Sequence, residues 1–427
     1  MLNSICKKGF VFGVIGLFIF SSNSALTHSE SIAIHALPPP DTLDMSIDEI
    51  IQKRTSIREF TDTPVTENDL STLLWHAYGR RTDGLHTIPS MQHVYAVIIY
   101  VLMSDGIYRY EPGNHSLLFY APGDYRSIGQ YQAPIQLGLC WDTTVLEDKN
   151  IAGIQIGAVG QNIYHSCIAL DLGTVATGEI PCPLNRIGLP ASHQGMIVMP
   201  VGHPTMVTKY LRLPLWISPF PKVQDSGIAF TSTLQNWNLS TPFTHTTITE
   251  QFLSQFLWAC YGYSYYLDHS GFEMHFIERH RTVPSAHGYY PLEIYAIVSE
   301  GVFWYIPGIR NNDPIGLPIV TFLWKTLDKD VRESLALVTE SSVKDAPVSF
   351  LICLNIKDTI QKRDDLSDPL YRWLWTYEAG ACIQNVLLDT EAWGYSVTIH
   401  PVDQKAAVNE ILGLNTNYDP FVLISIG

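Results

Sequence analysis

Leu70, Leu73, Leu74 and Ala77 recur at intervals of three and four among polar neighbours, which predicts a helix from Glu67 to Tyr78 with one buried face. Thr66 ahead of it, with Asp69 three residues on, is a variant of the capping box. Ser46 followed by Glu49 marks another helix start upstream. Val94 to Leu102 is instead a continuous β-branched and aromatic run, predicted as a strand, and Ser104-Asp105-Gly106 turns it into Ile107 to Tyr110. Another strand follows Pro134, a long helix is expected over Ile154 to Leu170 ahead of Gly173, and a last strand over Gly195 to Val201. Interleaved helices and strands mean an α+β fold with helices packed around a sheet.

The pattern then repeats. TENDLSTLLWHAYG, ending at Gly79, returns as TEQFLSQFLWACYG, ending at Gly262. Thr87 to Gly113 returns ungapped as Thr282 to Gly308, with 11 of 27 positions identical. GAVGQNI around Gln161 matches GACIQNV around Gln384, and Ala133 to Cys140 matches Ala346 to Cys353. The chain therefore holds two copies of one fold in tandem. The expected parts are a leader over residues 1–25, a first domain over 40–204, a connector over 205–232 and a second domain over 233–427. The connector is rich in Leu, Trp, Ile and Phe, so it is expected to wrap a domain face.

Within the leader, Lys7 and Lys8 precede 12 apolar residues, Gly9 to Phe20, and the small residues Ser21 to Ala25. As a helix that run rises only ~18 Å against a hydrocarbon core of ~30 Å. A signal segment is expected, cleaved or kept as an N-terminal anchor, placing the protein outside the cytoplasm and, where kept, at a membrane. Charge supplies an exclusion. Of 427 residues 26 are basic and 41 acidic, a net of −15, so phosphate backbones would repel the chain and nucleic acid is not an expected partner. The cysteines beyond Cys6 sit mostly in apolar runs, with no C-x-x-C pair, and are expected to be buried thiols. His275, His280 and His287 match no zinc spacing, so no metal is expected.

Against the acidic background one segment is basic: Lys53-Arg54-Thr55-Ser56-Ile57-Arg58. Two arginines flanking a hydroxyl can converge on one phosphate, because the guanidinium fork matches phosphate oxygens. The competing role is a solvated helix end favoured by the helix dipole.

The string IIQKRTSIREFTDTPVTENDLSTLLWHAYG resembles the opening of the nitroreductase family of FMN-dependent oxidoreductases. PSAHGYYPLEIYAIV and YEAGACIQNVLLDTEAWGYS resemble two further segments of that family, and the combination is most similar to its azoline-dehydrogenase branch. The resemblance implies two nitroreductase-like domains, each with helices around an antiparallel-dominated sheet, forming an intramolecular pseudo-dimer. It further implies a monomeric chain, with FMN held between the copies and a small-molecule substrate, NAD(P)H being a possible donor.

Carried onto this sequence, the resemblance gives a first site with Arg54, Ser56 and Arg58 on the phosphate and Gly173, Thr177 and Gly178 at the ring edge. Pro284, Ser285 and Ala286 would come from the other copy, with Lys209 and Arg212 as further cations. In the second site Trp237, Leu239 and Thr241 stand where the first has Arg54, Ser56 and Arg58, and His400-Pro401 replaces Thr177-Gly178. A phosphate there would meet no cation, so one FMN per chain is expected. The Lys-Tyr dyad of the azoline-dehydrogenase branch is missing. Tyr371, Tyr377 and His287 are the candidates for proton handling or substrate contact, packing being the competing role for the tyrosines, and no catalytic residue is assigned. Two functions stay open: an FMN-dependent oxidoreductase, or an exported pseudo-enzyme or flavin-binding protein of the same fold.

Overall fold

A computed structural model describes residues 34–91, 94–206, 209–211, 220–240, 242–268, 277–307, 321–357 and 371–427, without the side chains of 209–211, 265–268 and 277–280. The expected leader and Arg212 lie outside the described residues, as does Thr241. Among the described residues no helix is long and apolar enough to cross a membrane.

The first half runs β1 (Ile34–Ala36), α1 (Ile47–Lys53), α2 (Glu67–Tyr78), β2 (Val97–Leu102), β3 (Gly106–Glu111), β4 (Ser116–Pro122), β5 (Ile135–Asp142), α3 (Lys149–Ala169), β6 (Gly173–Thr174) and β7 (His193–Gly202). After β8 (Lys209–Leu211) the second half runs α4 (Phe230–Asn236), α5 (Glu250–Tyr261), β9 (Tyr263–Asp268), β10 (Ile277–Arg281), β11 (Leu292–Val298), β12 (Gly301–Ile306) and β13 (Phe322–Leu327). It ends with α6 (Arg332–Ala336), β14 (Val348–Asn355), α7 (Arg372–Ala392), β15 (Val397–Pro401), α8 (Lys405–Leu412) and β16 (Tyr418–Ile426). The first sheet has the order β1-β4-β3-β2-β5-β7-β6 and the second β13-β12-β11-β14-β16-β15, the same fold twice with one extra edge strand. Every pairing in both sheets is antiparallel. A small third sheet, β10-β9-β8, ties the start of the expected connector to the second half.

The caps follow the sequence. Ser46 accepts from the Glu49 N–H and Thr66 from the Asp69 N–H, and both helices start there. Two boundaries differ from expectation. The strand predicted from Val94 begins at Val97, because the Gln155 side chain takes the Val94 carbonyl at 2.7 Å and the Ala96 N–H at 3.1 Å. The long helix starts at Lys149, five residues before Ile154, because Asp148 Oδ1 accepts from the N–H groups of Asn150 and Ile151. In addition, α4 begins at Phe230, inside the span expected as connector, and repeats α1 at the same offset as α5 repeats α2. The last stretch of that connector is pinned: Asp48 accepts from the Ser226 N–H and hydroxyl, and Gln255 from the Gln224 N–H.

One hydrophobic core runs through both halves, from Leu37 to Ile426, and its centre is the crossing of α3 with α7. Gly157 lies against the Tyr377 carbonyl, where an added Cβ would come within 2.0 Å of the oxygen. Gly380 lies against the Ile154 carbonyl with the same 2.0 Å, the equivalent contact seen from the other copy. Beside them Gln161 donates to Asn385 Oδ1 and the Thr282 carbonyl, while Gln384 donates to Asn162 Oδ1 and the Thr87 carbonyl. A buried amide tetrad of this kind is stable only when its members meet, so it fixes the register of the two helices. The two halves therefore form the expected intramolecular pseudo-dimer. Satellite clusters, around Tyr100 and Cys140 in one half and Tyr295 and Cys353 in the other, cover the outer sheet faces. The six described cysteines are free and buried.

Candidate functional site

The chain leaves α1 at Lys53 and runs extended, with Arg54 at ψ 122°, until the Ile57 N–H donates to the Thr174 carbonyl at 2.9 Å. Arg54 and Ser56 turn inwards. Arg54 is 1% exposed; its Nε donates to the Arg281 carbonyl of the second half at 2.9 Å and its Nη1 to Ser56 Oγ at 3.3 Å. The guanidinium lies 5.3 Å from the ring centre of Tyr164, whose hydroxyl bonds Ser56 Oγ at 3.1 Å and accepts from the Ala176 N–H. Arg58 is exposed and donates to the Ser56 carbonyl at 3.3 Å, not to the hydroxyl that Arg54 reaches. Thr55 and Ile57 line a cavity of about 340 Å³ with Tyr164, Gly173, Thr174 and His203. Of the described cofactor candidates only Gly173 lines that cavity, and it is packed: an added Cβ would come within 2.7 Å of Ile57.

Thr177 is held by its own sheet, its N–H and hydroxyl both donating to the Val198 carbonyl at 3.0 and 2.7 Å. Gly178 is exposed. Lys209 is placed by its backbone in β8, paired with Asp268.

From the second half comes the loop after β10. Pro284 is buried, and Ala286 is half-buried against the core. Ser285 donates to Glu378 at 2.5 Å and accepts from the Tyr290 N–H at 2.9 Å. Glu378, fully buried on α7, also accepts from the Tyr261 hydroxyl. His287 is exposed at the loop tip with φ 54°, followed by Gly288 at φ 67° and Tyr290 at φ 49°. Left-handed backbone at two bulky residues in one loop is strained and held by its surroundings. Tyr371 is half-buried at the start of α7. Tyr377 is buried in the α3–α7 crossing beside Gly160, where an added Cβ would come within 2.1 Å of its hydroxyl. Burial pushes that phenol well up, so it stays protonated.

The sequence reading missed the residue that completes this cluster. Arg281 is 2% exposed, with its guanidinium 4.3 Å from the ring of Tyr261, 4.7 Å from Tyr290 and 5.1 Å from Tyr263. Burial works against its charge, but the neighbouring phenols and Glu378 more than offset that and hold it protonated. The available signal is the repeat itself, which sets His86 opposite Arg281.

This donor set suits a phosphate-bearing flavin: two buried guanidiniums from different halves, a serine, and a strained loop closing from the second half. Arg281 Nε, the Tyr377 hydroxyl and the Trp373 indole N–H are buried without a hydrogen-bond partner among the described residues. The equivalent place in the other half is different. Trp237 is buried, Arg81 stacks on it at 4.6 Å, donates to its carbonyl at 2.7 Å and pairs with Asp83 at 2.6 Å. Leu239 bridges to Val397 there, and His400 and Pro401 lie in β15.

The model of the nitroreductase family matches residues 51–203 and 242–427. Three proteins, each described as a "putative nitroreductase", are similar. MJ1384 of Methanocaldococcus jannaschii is 30% identical over 185 residues, 38% of this chain and 93% of the relative. A crystal structure from Anabaena variabilis is 16% identical and covers 93% of this chain and 94% of its own, with a TM-score of 0.64, so the fold is shared along both halves. One from Desulfovibrio desulfuricans, solved in complex with FMN, is 22% identical and covers 41% of this chain and 98% of its own, with a TM-score of 0.31.

Proposed function

The chain belongs to the nitroreductase family, matched in both halves, and on that premise we propose that it is an FMN-dependent oxidoreductase with one cofactor site per chain. The observation that carries the proposal is the junction of Arg54 with the Arg281 carbonyl across the two halves, against Trp237 at the equivalent position. Arg54, Ser56 and Arg58 would hold the phosphate, with Lys209 and Arg212 as further cations. Gly178 would offer its backbone N–H at the ring edge. Pro284, Ser285 and Ala286 would cover the cofactor from the second half. FMN, when bound, supplies hydride transfer between a reduced donor such as NAD(P)H and a small-molecule acceptor.

Within this reading Ser285 acts through the loop. Its only proton is committed to Glu378, so the Ser285 side chain fixes the backbone that would face the cofactor. His287, exposed at the tip, would be the side chain to meet a substrate. The protein is expected to act as a single chain, exported or anchored by its first 25 residues. The test is the absorbance spectrum of the purified chain, with an FMN-to-chain ratio of one, followed by anaerobic reduction with NADH or NADPH. A chain that stays colourless after reconstitution overturns the proposal. A yellow chain that no donor reduces leaves a flavin-binding protein without turnover.

A further inference from the structure

We infer that Arg281 is a second phosphate-binding cation of this site, given by the second half, and that its replacement by histidine at the equivalent position helped to close the other site. The inference rests on the proposed flavin site. The repeat pairs Arg281 with His86, Tyr261 with Tyr78 and Tyr290 with Tyr95. Both residues occupy the same cage. His86 lies 4.3 Å from Tyr78 and 4.5 Å from Tyr95 between ring centres, and Arg281 lies 4.3 Å from Tyr261 and 4.7 Å from Tyr290. Each also bonds the carbonyl of the tyrosine that ends the preceding helix: His86 Nδ1 to Tyr78 at 3.0 Å and Arg281 Nη1 to Tyr261 at 3.3 Å.

With packing and anchoring matched, what differs is charge and reach. His86 is held neutral chiefly by burial, whereas Arg281 carries its charge and a buried Nε with no partner among the described residues. The Arg281 carbonyl accepts from Arg54 Nε, so the backbone that carries one cation holds the other. Arginine and not histidine stands on the side that keeps Arg54, and histidine on the side where Trp237 has replaced it.

Because an imidazole already fits this cage in the other half, Arg281→His removes the charge without demanding a new fold. The experiment titrates wild type and Arg281→His with FMN and with riboflavin, which lacks the phosphate, and compares thermal melting. The expected result is FMN affinity weakened about ten- to a hundredfold, the loss of one charge-assisted hydrogen bond, with riboflavin affinity and melting unchanged. Arg281→Lys, which keeps the charge but not the fork, should lose less FMN affinity and no riboflavin affinity, and it serves if the histidine variant does not fold. Unchanged FMN affinity in a folded variant overturns the inference, as do equal losses for both flavins. A wild type that binds neither flavin removes the site itself, a result distinguishable from failure of Arg281 alone.

Discussion

The axis and the two ends of the pseudo-dimer differ in how closely the halves match. Along the axis the halves still mirror each other: Gly157 and Gly380 meet carbonyls at the same distance, and Gln161-Asn162 interlocks with Gln384-Asn385. At the ends they do not. One holds Arg54, Ser56 and Arg281, the other Trp237, Leu239 and His86, with Arg81 turned onto its own tryptophan. Packing explains the contrast. A change on the axis damages both halves at once, whereas a cation at one end matters only while that end binds an anion. Once unoccupied, a buried guanidinium is a cost, and a large apolar side chain is the stabilising replacement.

The comparison breaks first at the axis. Gly157→Val places side-chain carbons on the Tyr377 carbonyl, which as backbone cannot swing aside, so α3 and α7 must separate. The expected loss is several kcal/mol of stability in urea unfolding, with the matching loss for Gly380→Val. Equal melting of both variants and wild type would show that the glycines do not set the helix spacing.

Next come the ends. Arg54→Ala should weaken FMN binding a hundredfold or more, roughly the two charge-assisted bonds expected of its fork, read by fluorescence titration. Trp237→Ala should leave the FMN-to-chain ratio at its wild-type value while costing about 3–5 kcal/mol of stability as a core truncation. A second equivalent of FMN in wild type, or an Arg54→Ala variant that stays yellow, would show that the ends are not divided as their charges imply. Glu378→Gln sharpens the contrast further, since the first half has Gln155 at that place. The expected loss in FMN affinity is about tenfold, one hydrogen bond to a charged acceptor, through a looser Ser285 loop.

Local chemistry was the readable part of this chain. The caps at Ser46 and Thr66 need only a hydroxyl and an N–H three residues away, and both formed as spaced. Arg54 and Ser56 were legible because they stand out against an acidic background and repeat a family motif. What stayed hidden depends on partners distant in sequence. Gln155 takes over the backbone of Val94 and Ala96 from 59 to 61 residues away, so no local pattern shortens that strand. The helix at Phe230 was missed because its cap, Ala229, offers no side-chain acceptor. Arg281 looked like one more polar residue before a loop. Its cage is built by tyrosines that alternation and propensity read as ordinary strand and helix ends.

The smallest expected effect concerns pH, and here buried carboxyls and buried histidines should act with opposite sign. Beneath the Arg54 end, Asp48 on α1 and Asp389 on α7 are both buried and share the Gln255 amide at 2.7 and 3.3 Å. Burial first, and the Asp48 carboxylate second, push the Asp389 carboxyl well up, so it holds a proton that an unfolded aspartate would lose. At the other end of the pseudo-dimer the equivalents are Thr231, Ser166 and Thr72, and the titrating group there is His76, which bonds the Thr72 carbonyl and the Thr231 hydroxyl at 2.7 Å each. Burial lowers His76 to about 4, and burial followed by the Arg54 charge lowers His165 to about 3. An acid raised on folding contributes stability that is complete below its unfolded value near ~4 and fades as pH rises through the folded one. A histidine lowered on folding contributes stability that is complete above ~6.5 and fades as pH falls towards its folded value. Urea midpoints measured from pH 4 to 9 should therefore decline towards both ends of that range. Asp389→Asn keeps a neutral, hydrogen-bonding group beside Asp48, so it should flatten the alkaline arm and leave the acid arm intact. If the alkaline arm keeps its slope in that variant, the proton lies elsewhere and the carboxyl pair does not distinguish the two ends.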